Sequence, residues 1–126
     1  MNTDYKDRNH KKWMGLKYAV QGVKHVFQTE KNFKTHFSMS IIVIILGFFL
    51  RVSLVEWAVL FTIMALVISL EMINSSIERI MDYLSPEWHS IVGDIKDIAA
   101  GAVLLAAVSS IIIGCLIFLP KLIALF

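Results

Sequence analysis

Leu70-Glu71-Met72-Ile73-Asn74-Ser75-Ser76-Ile77-Glu78-Arg79-Ile80-Met81-Asp82 closes an apolar run that begins at Trp57. On a helix turning about 100° per residue, Glu71, Asn74, Ser75, Glu78 and Asp82 share one face. Ionisable groups in or at the edge of a membrane span are costly, so they mark function by default. The stretch therefore predicts a membrane-spanning helix with a polar site at one end. The rest of the chain reads as what brings a substrate, a nucleotide or a partner helix to that stripe.

The whole composition agrees. At 126 residues the chain is one domain. It is 57% hydrophobic with a mean hydropathy of +0.70, too apolar for an ordinary soluble domain of this size. Eight of the 12 Lys and Arg lie within residues 1–36, leaving Arg51, Arg79, Lys96 and Lys121 beyond. This is a small integral membrane protein whose basic leading segment suits the anionic cytoplasmic leaflet. A net charge of +2 is too small to call for nucleic acid. The lone Cys115 excludes an internal disulfide and reads as a small hydrophobe. The polar N-terminus has no apolar segment of the signal-peptide type.

In chain order, Trp13, Leu16, Val20, Val23 and Phe27 recur at 3-4 spacing, opposite Lys17, Gln21, Lys24, His25 and Gln28. That predicts an amphipathic helix over 11–28, lying in the membrane interface. Thr29-Glu30-Lys31-Asn32 reads as a bend, and a first span follows at about 33–50. Residues 51–56 read as a tight turn, with Arg51 and Trp57 anchored at the far interface. The second span covers about 57–81. Ser85-Pro86-Glu87 reads as the start of a short amphipathic helix ending near Gly93. Asp94 reads as the N-cap of a third span at about 97–119, whose Ile98–Leu119 stretch holds 22 residues without a charge. Pro120 is expected to end it. Ala102, Ala106, Ser110 and Gly114 give that helix a small face for close packing. The fold class is all-α: three transmembrane helices preceded by an interfacial amphipathic helix. The basic N-terminus places itself, Glu30, the stripe and the 82–96 loop on the cytoplasmic side.

The chemistry is narrowed by absences. No G-x-x-x-x-G-K-[ST], G-x-G-x-x-G or H-E-x-x-H occurs. The four histidines lack zinc-ligand spacing, and His36 and His89 read as interfacial. Glu30, Glu78 and Asp82 are hard oxygen donors suited to Mg²⁺, which takes one or two carboxylates plus phosphate oxygens. Lys96, with Lys11 and Lys12, can balance phosphate charge. Glu71 lies deepest in the apolar run, where a carboxylate beside a lipid headgroup suits a general base acting on a hydroxyl. Metal, cations, in-line placement and a base are what phosphoryl transfer needs. Solvated acids on an emerging helix and helix–helix hydrogen bonding by Asn74 remain the plainer readings.

Glu71-Met-Ile-Asn74-Ser-Ser-Ile-Glu78-x-x-x-Asp82, followed by Lys96-Asp97-Ile-Ala-Ala-Gly-Ala-Val103, closely resembles the signature of the prokaryotic diacylglycerol kinase family. These are small three-span membrane lipid kinases, and the likeness runs from Lys11 to Phe118. It implies an ATP- and Mg²⁺-dependent enzyme of the bacterial cytoplasmic membrane, built as a homotrimer with active sites shared between subunits. By the same likeness Glu71 is the catalytic base and Glu30 and Glu78 hold the metal. Tyr18, Glu87, His89, Lys96 and Asp97 hold the nucleotide, with Lys11 at a position usually basic. Asn74 belongs to the central motif, and Asn32, Phe33, Lys34 and His36 belong to the lipid-binding surface. Ser76 replaces a more common alanine. His36 stands where diacylglycerol-specific members often carry a carboxylate, and residues 30–36 look more like the Gram-positive branch that phosphorylates undecaprenol. The expected reaction is transfer of the γ-phosphate of ATP to undecaprenol. Diacylglycerol is the alternative acceptor, and a non-catalytic assembly or pore protein is the rival from another class.

Overall fold

The computed structural model describes residues 4–126, with side chains described from Met14 onward. Four helices make up nearly all of it: α1 (Asp4–Thr29), α2 (Lys31–Phe49), α3 (Leu54–Leu84) and α4 (Ser90–Ile123). The last three are long and apolar enough to cross a membrane. The chain is a multi-pass membrane protein of the all-α class. α3 packs chiefly on α4 and less on α2, while α1 touches α2 and α3.

The joint between α1 and α2 is a single residue. Glu30 alone leaves the helix, with φ −104° and ψ 115°, and its backbone N–H still donates to the Val26 carbonyl at 2.8 Å. The bend expected over four residues is thus one dihedral change. Phe27, Phe33 and Phe37 meet around it, Phe27 edge-on to Phe37 with ring centroids 5.3 Å apart and to Phe33 at 6.2 Å. Phe33 is fully buried there. The apolar face of α1 is otherwise uncovered by protein: Leu16, Val20 and Val23 are exposed.

The α2–α3 turn is shorter than expected, and both its ends are capped. Val52 N–H donates to the Gly47 carbonyl at 3.1 Å and Arg51 N–H to that of Phe48 at 3.3 Å, which closes α2 as a Schellman motif. Arg51 occupies the left-handed position, φ 53°, usually given to glycine. The Ser53 hydroxyl accepts from Glu56 N–H at 3.2 Å, and the Glu56 carboxylate accepts from Ser53 N–H at 2.7 Å. This capping box starts α3 at Leu54, inside the stretch expected to be turn. Trp57 then lies across Gly47, where an added Cβ would sit 2.5 Å from the indole. Nearby, Val52, Leu60 and Phe118 form the buried core, backed by Val43, Leu50, Met64, Ile113 and Ile117.

Three expectations near α4 are overturned. Ser85-Pro86 ends a helix rather than starting one: Ser85 is the C-cap of α3, its N–H bonded to the Met81 carbonyl at 2.9 Å. A proline just past a C-cap cannot continue the helix, which explains the pair equally well. Residues 85–89 are a loop, and α4 begins at Ser90 with His89 as N-cap, its ring nitrogen accepting from Ile91 N–H at 3.2 Å. Asp94 lies inside this helix and caps nothing. Nor does Pro120 stop it, since α4 runs on to Ile123. A proline removes one hydrogen bond, and here that loss falls in the last turns, where Lys121 reaches Glu56 at 3.1 Å.

Candidate active site

The buried residues of α3 are Leu60, Ile63, Val67, Glu71, Asn74 and Ser75. Their 3-4 spacing makes one continuous seam along the helix, apolar up to Val67 and polar from Glu71 onward. Glu71 is 3% exposed and Asn74 6%. Glu78, the next position on the seam, is half-buried, and Asp82 is exposed. The stripe read from the sequence is therefore the polar continuation of the helix-packing face, graded from buried to open.

His36, Glu78, Glu30 and Asn32 are the polar groups that act on the Glu71 carboxylate. The joint brings three of them to α3, because Glu30, Asn32 and His36 lie within the first two turns of α2 or at its cap. Asn74 donates to Glu78 through a long contact of 3.5 Å. Its carbonyl oxygen Oδ1 is buried with no hydrogen-bond partner among the described residues. An unpartnered buried carbonyl costs about 1–3 kcal/mol, so it invites a donor from outside the protein.

Arg79 went unread in the sequence, and it ties the site together. Its Nη2 donates to Glu30 Oε1 at 2.7 Å and to Thr29 Oγ1 at 2.8 Å, and its Nη1 meets His25 Nε2 at 2.8 Å. One signal did exist: Arg79 is the only cation within the acidic end of the apolar run, and such a charge needs partners. Lys96 is held by Asp82 at 2.6 Å, bridging the water-facing ends of α3 and α4.

The remaining candidates lie apart. Tyr18, Lys34, Glu87 and Asp97 are exposed, and among the described residues no side-chain hydrogen bond or ion pair joins them to the Glu71 group. His89 caps α4, and Phe33 is packed between Phe27 and Phe37. The Lys11 side chain lies outside the described residues. Four serines of the spans bond to carbonyls about one turn back: Ser40 to His36 at 2.9 Å, Ser76 to Met72 at 3.0 Å, Ser109 to Leu105 at 2.9 Å and Ser110 to Ala107 at 2.7 Å. Among the described residues no group of three or more His, Cys, Asp or Glu forms a metal cluster. Mg²⁺ does not require one, since one or two carboxylates with phosphate oxygens and water complete its shell. Glu30 and Glu78, two hard carboxylates whose fields both reach Glu71, fit that donor set.

A buried acid and amide on a helix long and apolar enough to span a membrane, with acids and a lysine at its exposed end, make a polar site in apolar surroundings, the class of a membrane protein. Comparison with known proteins gives its kind. Residues 17–118 match the family described as prokaryotic diacylglycerol kinase, and the chain belongs to that family. The undecaprenol kinase of Bacillus subtilis is 37% identical over 119 residues, covering 94% of this chain and 97% of that one. The diacylglycerol kinase of Synechocystis is 35% identical over 89% of this chain and 65% of its own length. That of Haemophilus influenzae is 32% identical over 81% and 87%. The protein is an ATP-dependent lipid kinase of the membrane.

Proposed function

We propose that the lipid substrate is undecaprenol, phosphorylated at the cytoplasmic face of the bacterial cell membrane with Glu71 as general base. The observation that carries the chemistry is the pair of buried polar groups at the inner end of the α3 seam. One is the Glu71 carboxylate; the other is the Asn74 amide, whose carbonyl has no partner among the described residues. The choice of lipid is supported by the likeness, over almost the full length of both chains, to the relative named undecaprenol kinase.

Glu71 accepts the hydroxyl proton as the lipid oxygen bonds to the γ-phosphorus. The bond from that phosphorus to the bridging oxygen breaks, and ADP leaves. Asn74 donates an amide N–H to the lipid oxygen and holds it in line, its Oδ1 accepting from a water that enters with the substrate, with Asn32 and His36 lining the approach from α2. Glu30 and Glu78 hold Mg²⁺, which supplies charge neutralisation on the phosphates when bound. Lys96, held by Asp82, adds a cation at the phosphate end. Tyr18, Glu87, His89 and Asp97, with Lys11, complete the nucleotide side.

Two features support a homotrimer with shared sites. Most residues of the three spans face outward from the single chain, and among the described residues no side-chain hydrogen bond or ion pair links Tyr18, Glu87 or Asp97 to the Glu71 group. The concentration of Lys and Arg in residues 1–36 supports a cytoplasmic N-terminus.

The test is phosphate transfer from γ-labelled ATP in vesicles holding undecaprenol and diacylglycerol side by side. The expected label goes to undecaprenol. Label in diacylglycerol alone overturns the choice of lipid while leaving the mechanism standing. Mixing Glu71→Gln with Asp97→Ala subunits, each inactive alone, restores partial activity if the sites are shared.

A further inference from the structure

Glu30 occupies the N-cap position of α2, yet its side chain makes no capping hydrogen bond. A carboxylate there would ordinarily accept from the first N–H groups of the helix. Instead it is turned across to α3, where Arg79 takes one of its two oxygens, Oε1, at 2.7 Å. The contact is not the bidentate fork that arginine and carboxylate usually form. The other guanidinium nitrogen, Nη1, is spent on His25 at 2.8 Å, and Nη2 is shared with the Thr29 hydroxyl at 2.8 Å. Because a guanidinium only donates, His25 Nε2 is the acceptor in this contact. Three groups from the α1–α2 joint thus fix the orientation of Arg79, and Arg79 fixes Glu30. Glu30 Oε2 has no hydrogen-bond partner among the described residues.

We propose that Arg79 is a positioning residue for the phosphoryl transfer: it clamps one oxygen of Glu30 and leaves the other aimed to ligate the divalent cation. The inference rests on the assignment of Glu30 as a cation ligand. An ordinary exposed ion pair contributes little and would have no consequence for the metal. Two features set this one apart: the three simultaneous partners, and a carboxylate withheld from its own helix terminus.

The proposal makes a prediction of sign. Arg79 is a positive charge beside a cation site, so on Coulomb grounds alone its removal tightens cation binding. If Arg79 positions Glu30, its removal weakens binding instead. The orienting partners of metal ligands typically contribute about 10–100-fold in affinity.

The experiment is Mn²⁺ binding by electron paramagnetic resonance to the full-length protein in detergent, with a non-hydrolysable ATP analogue at fixed concentration. It compares wild type, Arg79→Ala, Arg79→Lys and Glu30→Gln. Arg79→Ala is expected to bind Mn²⁺ about tenfold more weakly. Arg79→Lys, which can reach Glu30 but not all three partners, falls between it and wild type. In turnover, the Mg²⁺ concentration for half-maximal rate rises in step, while kcat at saturating Mg²⁺ stays near wild type. Unchanged or tighter Mn²⁺ binding in Arg79→Ala overturns the proposal. Should Arg79→Ala fail to fold, Arg79→Lys carries the same comparison, and wild-type binding there overturns it. Glu30→Gln separates the two levels. Full Mn²⁺ binding in that variant removes Glu30 as a ligand and the proposal with it. Weak binding in Glu30→Gln beside wild-type binding in the folded Arg79 variant removes the proposal alone.

Discussion

The two halves of the α3 seam use the same helical spacing for opposite ends. In the outer half, Leu60 meets Val52 and Phe118 beside Trp57 packed on Gly47, and the adjoining turn has its backbone groups capped at both ends. In the inner half the same face presents Glu71, Asn74 and Ser75, and a buried carbonyl goes without a partner among the described residues. The outer half is organised for close packing, and the inner half keeps unspent hydrogen-bonding capacity. Lipid tails are as apolar as leucine, so spans associate through close packing and satisfied polar groups rather than through a hydrophobic drive. A half-satisfied polar seam is therefore a weak place in the assembly. In the proposed function a ligand completes it.

Four substitutions break or sharpen this contrast, from the largest effect down. Glu71→Gln keeps the shape of the seam and removes the base. Label transfer from ATP to lipid should fall by about 10²–10⁴-fold, with the thermal midpoint in detergent unchanged or raised; near-normal turnover would show that the proton goes elsewhere. Gly47→Ala attacks the opposite half, since its Cβ would lie 2.5 Å from the Trp57 ring. Overpacking of this kind costs about 1–3 kcal/mol, seen as a lower midpoint with unchanged activity per folded molecule. A loss of turnover beyond the loss of folded protein would mean that the two halves are coupled.

Asn74→Leu replaces the buried amide with an apolar group of similar shape. It should raise stability by about 1 kcal/mol while turnover drops, the two moving in opposite directions as they would nowhere in the outer half. If both fall together, the Asn74 carbonyl has a structural partner in the assembled protein. The smallest effect belongs to Ser53→Ala, which removes one arm of the capping box. A loss of about 1 kcal/mol is expected, again without a change in kcat.

Much of this was legible in the chain. The apolar runs, the basic leading segment and the periodicity of residues 70–82 required only local pattern, because burial in lipid and helical repeat act on neighbouring residues. The termini were less legible. Ser85-Pro86 fits a helix start or a helix end equally well, and only the bond from Ser85 N–H to the Met81 carbonyl decides between them. The Ser53–Glu56 capping box was present in the sequence but lay inside a stretch read as turn. His89 as a cap was hidden because histidine is not among the preferred capping residues.

The site divides along the same line. Residue types and spacing on one helix determined that Glu71, Asn74 and Glu78 would share a face, since an α-helix fixes that relation without help from the rest of the fold. Nothing local could tell that Arg79, 49 residues from Glu30, would hold it together with Thr29 and His25. That contact exists only because the chain turns at one residue, Glu30, and folds α1 and α2 back against α3. The sequence determined the membrane, the spans and the polar stripe; the tertiary structure decided which cation the acids would meet. Helical periodicity is a property of neighbours, whereas the pairing of charges depends on where distant segments come to rest.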